Sequence, residues 1–296
     1  MKKVIFKGCA TALVTPFTND GINFEELRKL IEFQILEGID GLVICGTTGE
    51  SSTMSLVEKK SVIDFSVKVA NGRVPIIAGT GGNNTADAVA MSKYAESVGA
   101  DGLLLVTPYY NKTTQKGLIA HFSKIAESVN IPIILYNVPS RTGLNIEPET
   151  CLELSKIPNV VAIKEASGNI SQVAKIANLC NDELTIYSGN DDQILPILSL
   201  GGLGVISVLS NVYPKFVHEM VMDYLTGNWQ KATASQIYSL PLINALFSEV
   251  NPIPIKYALN KIGFNCGIPR LPLVELSDKN KERIDTLLKE TSKITI

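Results

Sequence analysis

Short apolar runs alternate along this chain with longer stretches in which apolar residues recur at helical spacing. The runs cover residues 8–13, 41–45, 74–78, 102–106, 132–136, 160–164, 184–188 and 204–208. Each is aliphatic, often β-branched and too short for a buried helix, so each reads as a strand covered on both faces. Between them, stretches such as 24–37, 56–70 and 86–98 carry the helical period. Asn23 and Ser55 are placed to cap the first two, with Glu26 and Glu58 three residues on as capping-box partners. An unbroken series of strand–helix units predicts an α/β fold of the (β/α)8, or TIM barrel, type. A doubly wound open sheet competes with it, but no Gly-x-Gly-x-x-Gly follows the first strand. Residues 209–296 exceed what one barrel helix needs. Periodic stretches near 213–225, 229–247, 254–261 and 278–292 predict a C-terminal helical appendage. The expected division is therefore a barrel over 1–225 and a helical extension, packed on it, over 226–296.

Composition changes this picture little and mostly excludes. With 45% apolar and 19% charged residues the chain has ample material for a large core. A formal net charge of −2 leaves no basic footprint for nucleic acid. The five cysteines (Cys9, Cys45, Cys151, Cys180, Cys266) are scattered without metal spacing and read as buried free thiols of a reducing compartment. The two histidines, His121 and His218, lie in helical stretches and read as surface or packing residues, so no metal site is expected. The apolar run near the N-terminus is too short for a signal peptide, and no stretch approaches the roughly 20 apolar residues of a membrane span. A soluble, cytoplasmic protein is expected.

The most informative residue is Lys164, the last of the run Asn159-Val160-Val161-Ala162-Ile163-Lys164. An ammonium loses hydration at the end of a buried strand. Partial desolvation favours the neutral amine, a nucleophile able to form a Schiff base with a carbonyl. A lysine that simply turns to solvent where its strand ends would leave the same local sequence. The other strand ends add weight to the first reading, because a barrel of this kind keeps its active site there. They carry Cys45-Gly46-Thr47-Thr48-Gly49-Glu50, Thr107-Pro108-Tyr109-Tyr110-Asn111, Tyr136-Asn137-Val138-Pro139-Ser140-Arg141-Thr142-Gly143, Gly189-Asn190-Asp191-Asp192 and Ile206-Ser207. Hydroxyls, phenols, one arginine and one lysine thus converge on one mouth. That set suits imine chemistry on a keto acid, with an arginine or backbone amides holding a carboxylate. Gly79-Thr80-Gly81-Gly82 lacks the lysine and spacing of a P-loop and reads as a turn. Gly201-Gly202-Leu203-Gly204 reads as a helix-to-strand connection, and Asp191-Asp192 as a helix start. Tyr109 and Tyr110 serve packing or chemistry equally well on this reading.

Three of these segments, Gly46-Thr47-Thr48-Gly49-Glu50, Tyr136 to Gly143 and Ile163-Lys164-Glu165-Ala166-Ser167-Gly168, resemble the dihydrodipicolinate synthase family. That family belongs to the pyruvate-dependent class I aldolases, which also include N-acetylneuraminate lyase. The resemblance covers essentially the whole chain. The double threonine and Ser140-Arg141-Thr142-Gly143 favour the synthase over a lyase acting on a sugar acid, the alternative activity. A carboxylate-binding barrel without catalysis is the alternative outside enzymology. By this resemblance Lys164 is the Schiff-base lysine that condenses with pyruvate, and Tyr136 shuttles protons to and from the imine. Thr47 links Tyr136 to Tyr110, which in the family reaches in from a neighbouring subunit. Arg141 receives the carboxylate of the second substrate, L-aspartate 4-semialdehyde, while Thr48, Gly189 and Ile206 line the pyruvate pocket. The resemblance implies no cofactor and no metal, a homotetramer built from tight dimers, and a place in diaminopimelate and lysine biosynthesis. It also implies a regulatory lysine cleft at Ser51, Ser52, Leu56, Lys59, Asn83, Asp87 and Tyr109. Leu56, Lys59 and Asp87 stand where strongly inhibited relatives carry two histidines and a glutamate, so weak or absent inhibition is expected.

Overall fold

The computed structural model describes residues 2–291. Eight parallel strands close into a barrel: β1 (Gly8–Ala12), β2 (Gly41–Ile44), β3 (Ile76–Gly79), β4 (Gly102–Val106), β5 (Ile133–Asn137), β6 (Val160–Glu165), β7 (Thr185–Ser188) and β8 (Gly204–Ser207). Their spatial order is their chain order, with β1 bonded to both β2 and β8. The (β/α)8 architecture expected from the hydrophobic pattern is the one present. Strand starts shift where chemistry demands it. β3 begins at Ile76 rather than Val74, because Pro75 has no N–H to give the ladder, and β5 begins just after Pro132 for the same reason.

The side chains separate into two apolar layers. Inside the barrel lie Phe6, Ala10, Val43, Ile77, Leu104 and Ile134, joined by Tyr136, Tyr187 and Ile206. Phe6 stacks on Tyr187 with ring centroids 4.2 Å apart, and the Tyr187 hydroxyl donates to the Phe6 carbonyl at 2.7 Å. The N-terminal segment thereby fills the barrel below the site. The larger layer lies between the strands and the surrounding helices. Helices Phe24–Leu36, Leu56–Ala70 and Thr85–Ser97 fall within a residue of the expected ranges. Ser55 and Glu58 form the full reciprocal capping box. At the first helix only half of that box forms. Asn23 accepts from the Glu26 N–H, but the Glu26 carboxylate turns to the Asn265 N–H (2.7 Å) and to Lys29. The C-terminal part had claimed it.

A two-stranded hairpin, Phe17–Thr18 with Gly21–Ile22, interrupts the chain between β1 and the first helix and was not expected. Its Phe17 N–H donates to the Cys266 carbonyl at 3.0 Å, so it too belongs to the contact with the C-terminal part. That part contains helices Trp229–Leu246, Ile253–Lys261 and Asp278–Thr291, close to the expected stretches, with Ser292 lying outside the described residues. The last of the three packs against both others. His121 is buried and bonded to Thr85, and His218 pairs with Asp40 at 2.6 Å, so both act in packing as expected. All five cysteines are buried and free. Among the described residues, no helix is long and apolar enough to cross a membrane.

Candidate active site

Successive residues of β6 face opposite layers: Ala162 belongs to the barrel interior and Ile163 to the helix-facing layer. Lys164 therefore points inward near the carboxyl end, and only 5% of it is exposed. Parallel register sets Lys164 beside Tyr136 of β5 on one side and Tyr187 of β7 on the other. Its ammonium lies 4.4 Å from the centroid of the Tyr136 ring, a cation–π contact that compensates part of the lost hydration. Gly189, just past β7, explains itself at this point. A β-carbon there would sit 3.0 Å from Cε of Lys164, 3.1 Å from its Cγ and 2.7 Å from the Ala166 β-carbon. Only glycine leaves room for the lysine stem.

The segment after β2 forms the opposite wall. Thr47 and Tyr136 line one cavity of about 40 Å³ together with Cys45 and Ser51. Burial pushes the Cys45 thiol up to about 12, so it is inert in this wall. Gly79 lies behind it, and a β-carbon there would come within 2.3 Å of the Cys45 carbonyl oxygen. Gly79, and Gly81 whose β-carbon would come within 2.4 Å of the Val106 nitrogen, thus serve close packing. Thr48 is buried, and its hydroxyl accepts from Asn251 Nδ2 at 2.9 Å. Arg141 stands exposed on the short helix Pro139–Thr142 at the mouth, donating to the Asn251 carbonyl at 3.2 Å. Ile206 lies in the barrel interior, fully buried.

The chain thus brings Lys164, Tyr136, Thr47, Thr48, Gly189 and Ile206 to one end of the barrel, with Arg141 at the rim. Tyr110 is the exception. It is 92% exposed, on a loop whose backbone there is left-handed (φ +67°), and within the chain it does not join the others. Asp191 and Asp192 open the helical turn Asp191–Gln193 that runs into helix Ile194–Ser199, as expected, and Asp191 does more besides. It is buried, and its Oδ2 accepts from the Val208 and Leu209 N–H groups at 3.0 and 2.9 Å, clamping the segment after β8. Burial raises its carboxyl above the usual range.

Three residues escaped the sequence reading. Asn251 joins Thr48 to Arg141 from a great distance in the chain, which no local pattern could show. Glu165 is buried behind Lys164, held by Asn137 (3.0 Å), Gln172 (3.2 Å) and the Ser167 N–H (2.6 Å). The alternation of a strand could have found it, since the neighbour of an inward lysine must face the helices. Glu50, the last residue of Gly46-Thr47-Thr48-Gly49-Glu50, is buried against Lys256. Its place in the motif was the available signal.

The second set of residues lies at a separate cleft of about 290 Å³, lined by Leu56, Lys59, Asn83, Asp87 and Tyr109. Asn83 donates to the Tyr109 carbonyl at 3.2 Å, and Asn84 to the Asp87 carboxylate at 2.9 Å. Ser51 falls instead on the Thr47 cavity, and exposed Ser52 lines neither. Gly81 lines both cavities, so one backbone segment separates them.

Comparison with known proteins accords with this fold. The model of the dihydrodipicolinate synthetase family matches residues 5–291. A 4-hydroxy-tetrahydrodipicolinate synthase of Thermoanaerobacter sp. (strain X514) is 60% identical over 285 residues, 96% of each chain. A solved dihydrodipicolinate synthase superposes with a TM-score of 0.95 at 49% identity, over 98% of this chain and all of the other. The enzyme from Acinetobacter baumannii, solved in complex with pyruvate, gives 0.95 at 42% identity over 98% and 100%.

Proposed function

The chain belongs to the dihydrodipicolinate synthetase family, and from that premise we infer that it is a Schiff-base lyase with 4-hydroxy-tetrahydrodipicolinate synthase activity. It condenses pyruvate with L-aspartate 4-semialdehyde on the route to diaminopimelate and lysine. The observation that carries this reading is the inward lysine: an amine 5% exposed, seated over a phenol ring at the mouth of the barrel.

Lys164 Nζ attacks the keto carbon of pyruvate, and loss of water leaves an imine. Thr48, Gly189 and Ile206 shape the pocket around it. Loss of a methyl proton gives an enamine, whose carbon adds to the aldehyde of the second substrate. The adduct's own amine then attacks the imine carbon and expels Lys164, closing the ring. Each step moves a proton, and a phenol ordinarily holds its proton near neutral pH. Tyr136 therefore needs a hydroxyl relay, for which Thr47 shares its cavity. We assign the far end of that relay to Tyr110 of the partner subunit, since within its own chain Tyr110 is left exposed to solvent. Arg141 meets the carboxylate of the aldehyde substrate at the mouth, where a guanidinium can engage it bidentately. The reaction so written needs no cofactor or metal, and the shared relay calls for at least a dimer, with a tetramer of paired dimers as the full assembly. A cytoplasmic location fits substrates of intermediary metabolism.

The test is chemical trapping combined with turnover. Pyruvate and borohydride should add one reduced pyruvyl group to Lys164, located by peptide mass, and the purified protein should consume pyruvate with aspartate semialdehyde. Lys164→Arg should abolish labelling, because a guanidinium stays protonated and is a very poor nucleophile. Label on another lysine, or none, would sink the mechanism.

A further inference from the structure

The segment bearing Thr47 and Thr48 is not held by the barrel alone. It ends in Glu50, which has a left-handed backbone (φ +55°) and a fully buried carboxylate. Both carboxylate oxygens are taken by the C-terminal part: Oε1 by Lys256 Nζ at 2.7 Å and Oε2 by the Arg270 N–H at 2.9 Å. Lys256 is itself 1% exposed and lies 4.3 Å from the centroid of the Phe17 ring. The Arg270 guanidinium lies 4.1 Å from that same centroid and grips Glu58, at the start of the next helix, at 2.6 and 3.1 Å. Asn251 adds the hold on Thr48 already described. The loop between β2 and the following helix is therefore pinned from the C-terminal part at Thr48, Glu50 and Glu58.

A buried ion pair is a costly way to gain stability, since two desolvated charges are often matched by apolar residues of the same volume. What such a pair supplies is directional: Lys256 and Arg270 fix where Glu50 can lie, and Glu50 closes the turn that carries Thr47. We propose that Glu50, through Lys256 and the Arg270 backbone, is a positioning residue for the proton relay. The C-terminal part is then a working wall of the active site. The inference rests on the reading of Thr47 as a relay member.

The experiment uses the full-length protein and the near-isosteric Glu50→Gln. To avoid stranding a buried cation, it includes the charge-neutral pair Glu50→Gln/Lys256→Met; Glu50→Asp keeps the charge but is one methylene too short to span both partners. The wild type is first labelled on Lys164 with pyruvate and borohydride. A misplaced relay should lower kcat by about 10- to 100-fold while the pyruvate KM changes less than kcat. Exchange of the pyruvate methyl protons into deuterated water, which reports enamine formation without the aldehyde, should fall in parallel. Glu50→Asp should lie between wild type and Glu50→Gln. If the double variant folds, with wild-type circular dichroism and assembly, and keeps kcat and methyl exchange within twofold, the pair is structural only and the inference is overturned. If Glu50→Gln does not fold, the double variant alone decides by the same criterion. Failure of the wild type to label on Lys164 would instead sink the function itself, so the two failures read differently.

Discussion

Gly189→Ala tests the geometry of the lysine pocket most directly. The new methyl would sit 2.7 Å from the Ala166 β-carbon, 3.0 Å from Lys164 Cε and 3.1 Å from Lys164 Cγ. Carbon atoms rest about 3.5–4.0 Å apart, so the neighbours must yield by about 0.5–1 Å. Ala166 has no rotamer to change, and the displacement therefore falls on the lysine stem. Overpacking of this kind costs roughly 1–3 kcal/mol of stability. A nucleophile displaced by about 1 Å loses on the order of 100-fold in rate. The assay is the rate of pyruvyl labelling of Lys164 under borohydride, read by peptide mass beside kcat/KM and the thermal midpoint. Labelling should slow by about 30- to 100-fold, with a modest fall in the midpoint. Gly82→Ala is the control, because a β-carbon there meets nothing within 4 Å. If Gly189→Ala folds and labels Lys164 at the wild-type rate, the close approach does not position the amine and the reasoning fails.

Three further outcomes follow from the same structure. Because Tyr110 is 92% exposed in its own chain, inactive Tyr110→Phe mixed with inactive Lys164→Ala should regain activity once subunits exchange; no recovery despite proven exchange would refute the shared relay. L-lysine titrated into the steady-state assay should inhibit weakly. Leu56 offers the cleft no hydrogen bond and Lys59 adds a like charge, and one lost bond to a charged group weakens binding roughly 10- to 100-fold; strong submillimolar inhibition lost on Asn83→Ala would contradict this. Chiefly through its bond to Arg270, the Glu58 carboxyl is lowered to about 2, below the ordinary carboxylate range. The pair's stabilisation is therefore complete above the ordinary pKa of about 4.3 and is lost as pH falls through about 2. Glu58→Gln keeps the helix cap and should cost about 1 kcal/mol near pH 7, given partial solvent screening, with the difference shrinking in acid; a pH-independent difference in denaturation free energy would refute the assignment.

The sequence by itself determined the barrel and one end of it. Buried parallel strands are continuous apolar runs, and a pattern of eight such runs separated by helical periods leaves few ways to close. Because active sites gather at strand ends in this fold, the order of residues along each strand already placed Lys164, Tyr136 and the two threonines at a common mouth. Local chemistry was equally legible at Ser55 and Glu58, whose capping box needs only neighbours. The tertiary structure alone decided what depended on distant partners. Glu26 left its expected cap for Asn265, Phe17 formed a hairpin against Cys266, and Asp191 turned inward to clamp Val208 and Leu209. Asn251 and Lys256 reached Thr48 and Glu50 across more than 200 residues of chain. Periodicity and capping are set by interactions within a few residues, and they carry no record of which far segment will satisfy a buried charge or amide. Folding brings those groups out of water together, and the requirement that each find a partner there fixes the loop on which the chemistry stands.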